Sequence, residues 1–267
     1  GQESTGVYAD GRPRAGHSYN HNIWIPNRGI VITQVAETYA SASGGSRRLL
    51  DLNPTTGEST LTLDWNGASQ AGVGHGFAVW DSSRNRVFVC GAENCRPYTL
   101  DLTTPTFTAR GSSGNILANS ARGAYCTALD LVAAISNPTA AAYRAQAGFT
   151  VFDPATGTDY QPGLTGSWPS GFNFNGQAGL EWDNVNQRLL LWNNTSNTAQ
   201  VVTLTPPSSP TTQPWVRGSI AIASSNTVTP SSATGTGTYG RFAFAPSFKG
   251  AFLLNSTSGP LYFVRTH

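Results

Sequence analysis

LEWDNVNQRLLLWN, residues Leu180 to Asn193, is the stretch on which the fold turns. It reads as two short strands. The first closes at Trp182-Asp183, the second runs over Leu189 to Trp192, and the polar turn Asn184 to Arg188 joins them. The same pattern stands earlier as FAVWDSSRNRVFVCG, Phe77 to Gly91. Looser copies are IWIPNRGIVIT (Ile23 to Thr33), CTALDLVAAIS (Cys126 to Ser136) and FAFAPSFKGAFLLN (Phe242 to Asn255). Five copies of one hairpin organise the chain, and repeats of this kind outrank any local pattern in choosing a fold.

The spacing is regular. The residues that open the first strand of each copy, roughly Tyr19, His75, Ala124, Gln177 and Gly240, are about 56, 49, 53 and 63 residues apart. A second landmark agrees: LLDLNPTTG, YTLDLTTP and TVFDPATG place Asp51, Asp101 and Asp153 about 50 and 52 residues apart. VVTLTPP (Val201 to Pro207) and LYFVRTH (Leu261 to His267) take that place in the last two units. Fourth strands are expected at Ser59 to Asp64, Thr106 to Arg110, Thr158 to Gln161 and Gln213 to Arg217. A period near 50 with four strands per unit predicts an all-β fold, a β-propeller of five four-stranded blades forming a single domain over residues 1–267. The last unit, with strands at Arg241 to Ala245, Ala251 to Leu254 and Leu261 to Arg265, has no fourth strand of its own. The N-terminal strand Thr5 to Ala9 is expected to complete it and so cover its edge. The alternative is a β-sandwich whose spacing is fortuitous.

Charge is sparse at 11% of residues, the net charge is +2, and 39% of residues are apolar. Disorder needs the opposite balance. Without a concentrated basic face, neither nucleic acid nor a membrane surface is an expected partner. No apolar run is long enough to span a membrane, no signal peptide is visible, and the sequence contains no Met. These features lead to the expectation of a mature extracellular, secreted or virion-associated protein. Cys90 and Cys95 can close a small disulfide loop or stand, like Cys126, as isolated thiols. No second Cys or His pair follows at ligand spacing, so no metal and no other cofactor is expected. Asn193, Asn194 and Asn255 open N-x-[ST] sequons.

The stretch RPRAGHSYNHNIWIPNRGIVI (Arg12 to Ile32) resembles the opening blade of Kelch-like and galactose-oxidase-type propellers, and LDLNPTTG (Leu50 to Gly57) resembles their passage from third strand to turn. The Gly-Gly pair that usually closes the second Kelch strand is absent from all five copies. The resemblance implies a repeat architecture and no particular activity, since propellers host lectins, glycosidases, lyases, oxidases and protein scaffolds.

In such a ring, ligands commonly sit where the inner strands begin. The candidate ligand-binding residues are Tyr19, His75, Arg122, Tyr125 and Arg241, with Trp168, Asn175 and Gln177 from the loop SWPSGFNFNGQ. Aromatic rings there can stack on the apolar faces of sugars while Asn, Gln and Arg take the hydroxyls. The bland alternative for Trp168 is a cap over the space between blades. Carboxylates are scarce at the strand starts. Asp51, Asp81, Asp101, Asp153 and Asp183 recur at strand ends, where an Asp accepts turn N–H groups. Trp24, Trp80 and Trp182 share one repeat position and are expected in the core. The chain is therefore expected to bind a carbohydrate or glycan, or another surface ligand, at one end of its channel. The alternatives are a polysaccharide-active enzyme, with a lyase using Arg122, Arg241, Tyr125 and His75 ahead of a glycosidase, and a module making protein assembly contacts.

Overall fold

The computed structural model describes residues 20–26, 28–32, 48–53, 55–56, 58–64, 76–90, 97–104, 106–111, 121–136, 148–169, 172, 178–192, 201–221, 223–233, 238–256 and 258–266. They form five sheets, one per hairpin copy, arranged as a five-bladed β-propeller. The first blade is β1 (Asn22–Ile25), β2 (Gly29–Ile32), β3 (Arg48–Leu52) and β4 (Ser59–Asp64). The second is β5 (Phe77–Asp81), β6 (Arg86–Cys90), β7 (Tyr98–Asp101) and β8 (Thr106–Ala109). The third is β9 (Arg122–Cys126), β10 (Leu131–Ile135), β11 (Phe149–Phe152) and β12 (Asp159–Tyr160).

The fourth blade has five strands. β13 (Leu164–Thr165) comes first in the chain but lies outermost, parallel to β17 (Trp215–Ile220), followed inward by β16 (Val201–Thr205), β15 (Arg188–Trp192) and β14 (Gly179–Asp183). β13 was not expected from sequence, because two residues give no period. The fifth blade shows β18 (Phe242–Ala245), β19 (Gly250–Leu253) and β20 (Tyr262–Arg265). The strand expected at Thr5 to Ala9 to complete it lies outside the described residues.

The second, third and fourth blades each pack between two neighbours, so both faces of their middle strands are covered. That is why β6, β9 and β10 are buried along their whole length and why their sequences do not alternate. The core is a set of layers between blades. Phe77, Val79, Phe88 and Cys90 of the second blade meet Ala121, Tyr125, Val132, Ala134 and Phe152 of the third. The rings of Phe88 and Phe152 lie 5.5 Å apart. The third and fourth blades share Phe149 and Trp215, edge to face at 5.1 Å. The fourth and fifth share Trp192 and Phe242. Two inner strands come so close to the next ring that only glycine fits. A Cβ on Gly123 would stand 2.1 Å from the Phe77 ring, and one on Gly179 would stand 2.4 Å from Phe242 Cβ.

Candidate functional site

The inner strands β1, β5, β9, β14 and β18 line a common channel with a volume of about 640 Å³. Its wall carries one aromatic residue from each blade: Trp24, Trp80, Tyr125, Trp182 and Phe244. The pairing register makes these five equivalent. Each stands opposite the second residue of the next strand, in the pairs Trp24–Ile30, Trp80–Val87, Tyr125–Val132, Trp182–Leu189 and Phe244–Ala251. They form a collar of graded exposure. Trp182 is buried in the layer between the third and fourth blades, whereas Trp24 is 60% exposed. The expectation that Trp24 belongs to the core is corrected here: Trp24 forms part of the wall of the open bore. The indole nitrogens of Trp80 and Trp182 are buried with no hydrogen-bond acceptor among the described residues.

One step earlier along each inner strand stand Ile23, Val79, Ala124, Glu181 and Ala243, opposite Val31, Phe88, Ala133, Leu190 and Phe252. Four blades are apolar at this level, and the fourth blade presents a carboxyl. Glu181 lines the channel and makes no hydrogen bond or ion pair with a described residue. Its side chain is half-buried. Burial alone pushes its carboxyl up to about 8, because the charged form has lost water and gained no partner. Glu181 is the functional candidate that sequence reasoning left without a role. The signal was available only by aligning the five hairpins residue by residue. Asn20, Asn22, Thr127 and Asn184 add polar groups along the same wall.

The expected site residues separate into several groups. Arg122 and Tyr125 reach the channel wall. Arg122 is almost fully buried, and its Nη1 donates to the Ala121 carbonyl at 2.5 Å. The Tyr125 ring belongs to the collar. Its hydroxyl is engaged at the far end of the strand, 2.6 Å from Ser83 Oγ and donating to Asp130 at 2.8 Å. Burial first, and then the neighbouring carboxylates, push this phenol up to about 12. Arg241 turns to its own blade, donating to the carbonyls of Leu254 at 3.0 Å and Asn255 at 3.5 Å. Trp168 lies away from the bore, stacked on Phe172 at 5.0 Å, with the Arg217 guanidinium 4.7 Å from its ring. It packs against the layer between the third and fourth blades. Tyr19, His75, Asn175 and Gln177 lie outside the described residues, as does Cys95.

The recurrent aspartates act within the fold. Asp183 accepts the backbone N–H of Val185 and Asn186 at 3.1 and 3.0 Å. Burial would raise its pKa, but these bonds with Asn186, Val185 and Arg188 hold it below the usual carboxylate range. Asp101 and Asp153 accept turn N–H groups in the same way. Asp81 pairs with Arg86 at 2.9 Å and with Arg84 at 3.1 Å, and Arg84 also pairs with Asp130 of the next blade. That bond to Arg84 is the main reason Asp130 is held low. Among the described residues no three His, Cys, Asp or Glu side chains gather as a metal site requires, and no helix is long and apolar enough to cross a membrane.

The channel can therefore offer stacking surfaces, amide groups for hydroxyls, and one carboxyl. Hydrolysis of a glycosidic bond by paired carboxyls needs a second acid across the bond. Glu181 is the one carboxylic acid lining the channel among the described residues.

No protein-family model matches this chain, and no curated protein sequence does. Its likenesses are to solved structures. The major allergen of Malassezia sympodialis superposes with a TM-score of 0.50 at 10% identity, over 85% of this chain and 67% of that one. A nidogen chain in complex with laminin, or its partner, gives 0.48 at 11% identity, over 83% and 71%. A gluconolactonase from Xanthomonas campestris gives 0.37 at 11% identity, over 90% and 84%. At such identities the likeness is one of fold alone.

Proposed function

We propose that this chain binds a saccharide in its central channel. The observation that carries the reading is the collar: five aromatic side chains at one register, one of them widely exposed, facing a bore with amide and carboxyl groups on its wall. Sugar rings present flat C–H faces to such surfaces, and a site of this size with few polar groups is the usual form of a small-ligand pocket. The indole donors of Trp80 and Trp182 have no acceptor among the described residues. The enzyme alternatives have less support. Tyr125 is tied at its hydroxyl and raised in pKa, which suits a structural role better than that of a base. With the binding reading goes the proposal that the chain works outside the cell or on a virion, where glycans are met. Kinship with Kelch-type propellers is proposed on the stretches 12–32 and 50–57 alone.

Titration of the full chain with a panel of neutral and amine-bearing oligosaccharides, followed by tryptophan emission, tests this. Binding is expected to change the emission saturably. Trp24→Ala, which removes the most open ring, should weaken binding roughly tenfold without changing the fold. An emission spectrum unmoved by every saccharide in the panel would sink the reading.

A further inference from the structure

Glu181 is unlike anything at its level in the other four blades. Ile23, Val79, Ala124 and Ala243 show that the ring closes with apolar side chains there. The fold therefore does not require an acid, and it does nothing to support one: no described residue gives Glu181 a hydrogen bond or a positive partner. A carboxyl held in this way is costly unless something else satisfies it. What can satisfy it must enter the channel. The neighbouring rings narrow the choice. Trp182 follows Glu181 on the strand and so turns to the opposite face, into the layer toward the third blade, while Phe244 lines the same bore as Glu181 from the fifth blade. Aromatic faces carry negative charge density and attract ammonium groups. A carboxyl on the wall of a channel that also carries aromatic rings thus selects for a cation, and an ammonium is the cation that both parts recognise.

We propose that the saccharide this channel takes is an amino sugar, whose protonated amine stands against Glu181 beside the aromatic collar. This rests on the channel being the saccharide site. The other described ionisable side chains on elements packed against β14 are Arg122, Tyr125 and Cys126 on β9, Arg188 on β15 and Arg241 before β18. None of them compensates Glu181. Arg188 is turned to Asp183 and to the Thr266 carbonyl, and Arg241 to Leu254 and Asn255. Tyr125 is bonded to Ser83 and Asp130. Cys126 is buried in the layer facing the fourth blade, where loss of water raises its thiol. Arg122 stands two residues nearer the strand start than the level of Glu181, about 7 Å along the strand. Among the described residues packed against β14, none brings a positive charge to the level of Glu181. Because burial keeps Glu181 mostly protonated near neutrality, an ammonium that restores the carboxylate displaces a proton into solvent.

The test is calorimetric titration of the full chain with three tetrasaccharides of equal length: glucosamine, N-acetylglucosamine and glucose. The free-amine oligomer is expected to bind about tenfold or more tightly than the other two, with proton release seen as a heat that depends on the buffer. Glu181→Gln should remove both the preference and the proton release. Glu181→Asp, which keeps the charge, should retain part of the preference. Tetramethylammonium should compete with the amine oligomer and serves as the check if Glu181→Gln folds poorly. Equal affinity for all three oligomers, unchanged in Glu181→Gln, overturns the amine assignment and leaves the saccharide site standing. Failure of all three to bind overturns both.

Discussion

Glu181 also makes a statement about stability. Its carboxyl is raised from 4.5 to about 8 in the folded chain, so the folded state holds this proton more tightly than the unfolded state does. The stability contributed by that proton is complete below about pH 4.5 and is lost as the pH climbs to 8. Glu181→Gln should match the parent in urea denaturation at pH 4 and exceed it at pH 9 by on the order of 2–4 kcal/mol. Equal stability at both pH values would mean that water reaches the carboxyl freely. None of this is visible locally in LEWD, where Glu181 sits between a core leucine and a tryptophan. Trp24 misled for a related reason. A repeated tryptophan normally marks a core position, but the rings at this register pack progressively less around the collar, and the last one faces the bore.

At the scale of the element, the hairpins were the legible part. Their strands fall within a residue or two of the expected limits, because strand pairing and turn chemistry are local. The inner turns share one device. Asn85, Asp130, Gln187 and Lys249, each the last residue of a four-residue turn, have φ between 47° and 54°. Asn and Asp tolerate this left-handed conformation because short polar side chains can bond locally, whereas Lys has no such relief. Lys249 is exposed, so Lys249→Asn should raise stability by about 0.5 kcal/mol, read as a shift in the urea midpoint with no change in slope. The outer strands were less legible. β12 and β13 have two residues each and are held by neighbours rather than by a pattern of their own.

Across the whole molecule the period predicted five blades, and the structure has five. The site was harder to read, because a channel is made by residues about 50 positions apart that converge only when the ring forms. The blades are joined by more than their apolar layers. Arg86 bonds Asp81 at 2.9 Å and reaches the Pro154 carbonyl of the third blade at 2.6 Å. Arg188 bonds Asp183 at 3.3 Å and reaches the Thr266 carbonyl of the fifth at 2.8 Å. Arg28 bonds Asp51 at 2.7 Å and the Leu102 carbonyl of the second at 3.1 Å. Both partners, Asp81 and Asp183, are fully buried, and Arg86 is the more buried of the two arginines. Arg86→Met should therefore cost about 2–3 kcal/mol and Arg188→Met about 1 kcal/mol in urea unfolding. No loss of stability in either variant would mean that the apolar layers alone hold the blades together.

These bolts are unevenly placed. They tie the first blade to the second, the second to the third, and the fourth to the fifth. Where the third blade meets the fourth, Leu131 takes the place of the arginine, and where the fifth meets the first, Gly250 does. Among the described residues the ring is thus fastened as two arcs, one of three blades and one of two. Glu181 is carried by the shorter arc, and Trp24 by the longer. A widening of the bore that spared these arginine bonds would fall at the two other junctions, like the opening of a pair of jaws, and would part the acid from the open ring while leaving each arc intact.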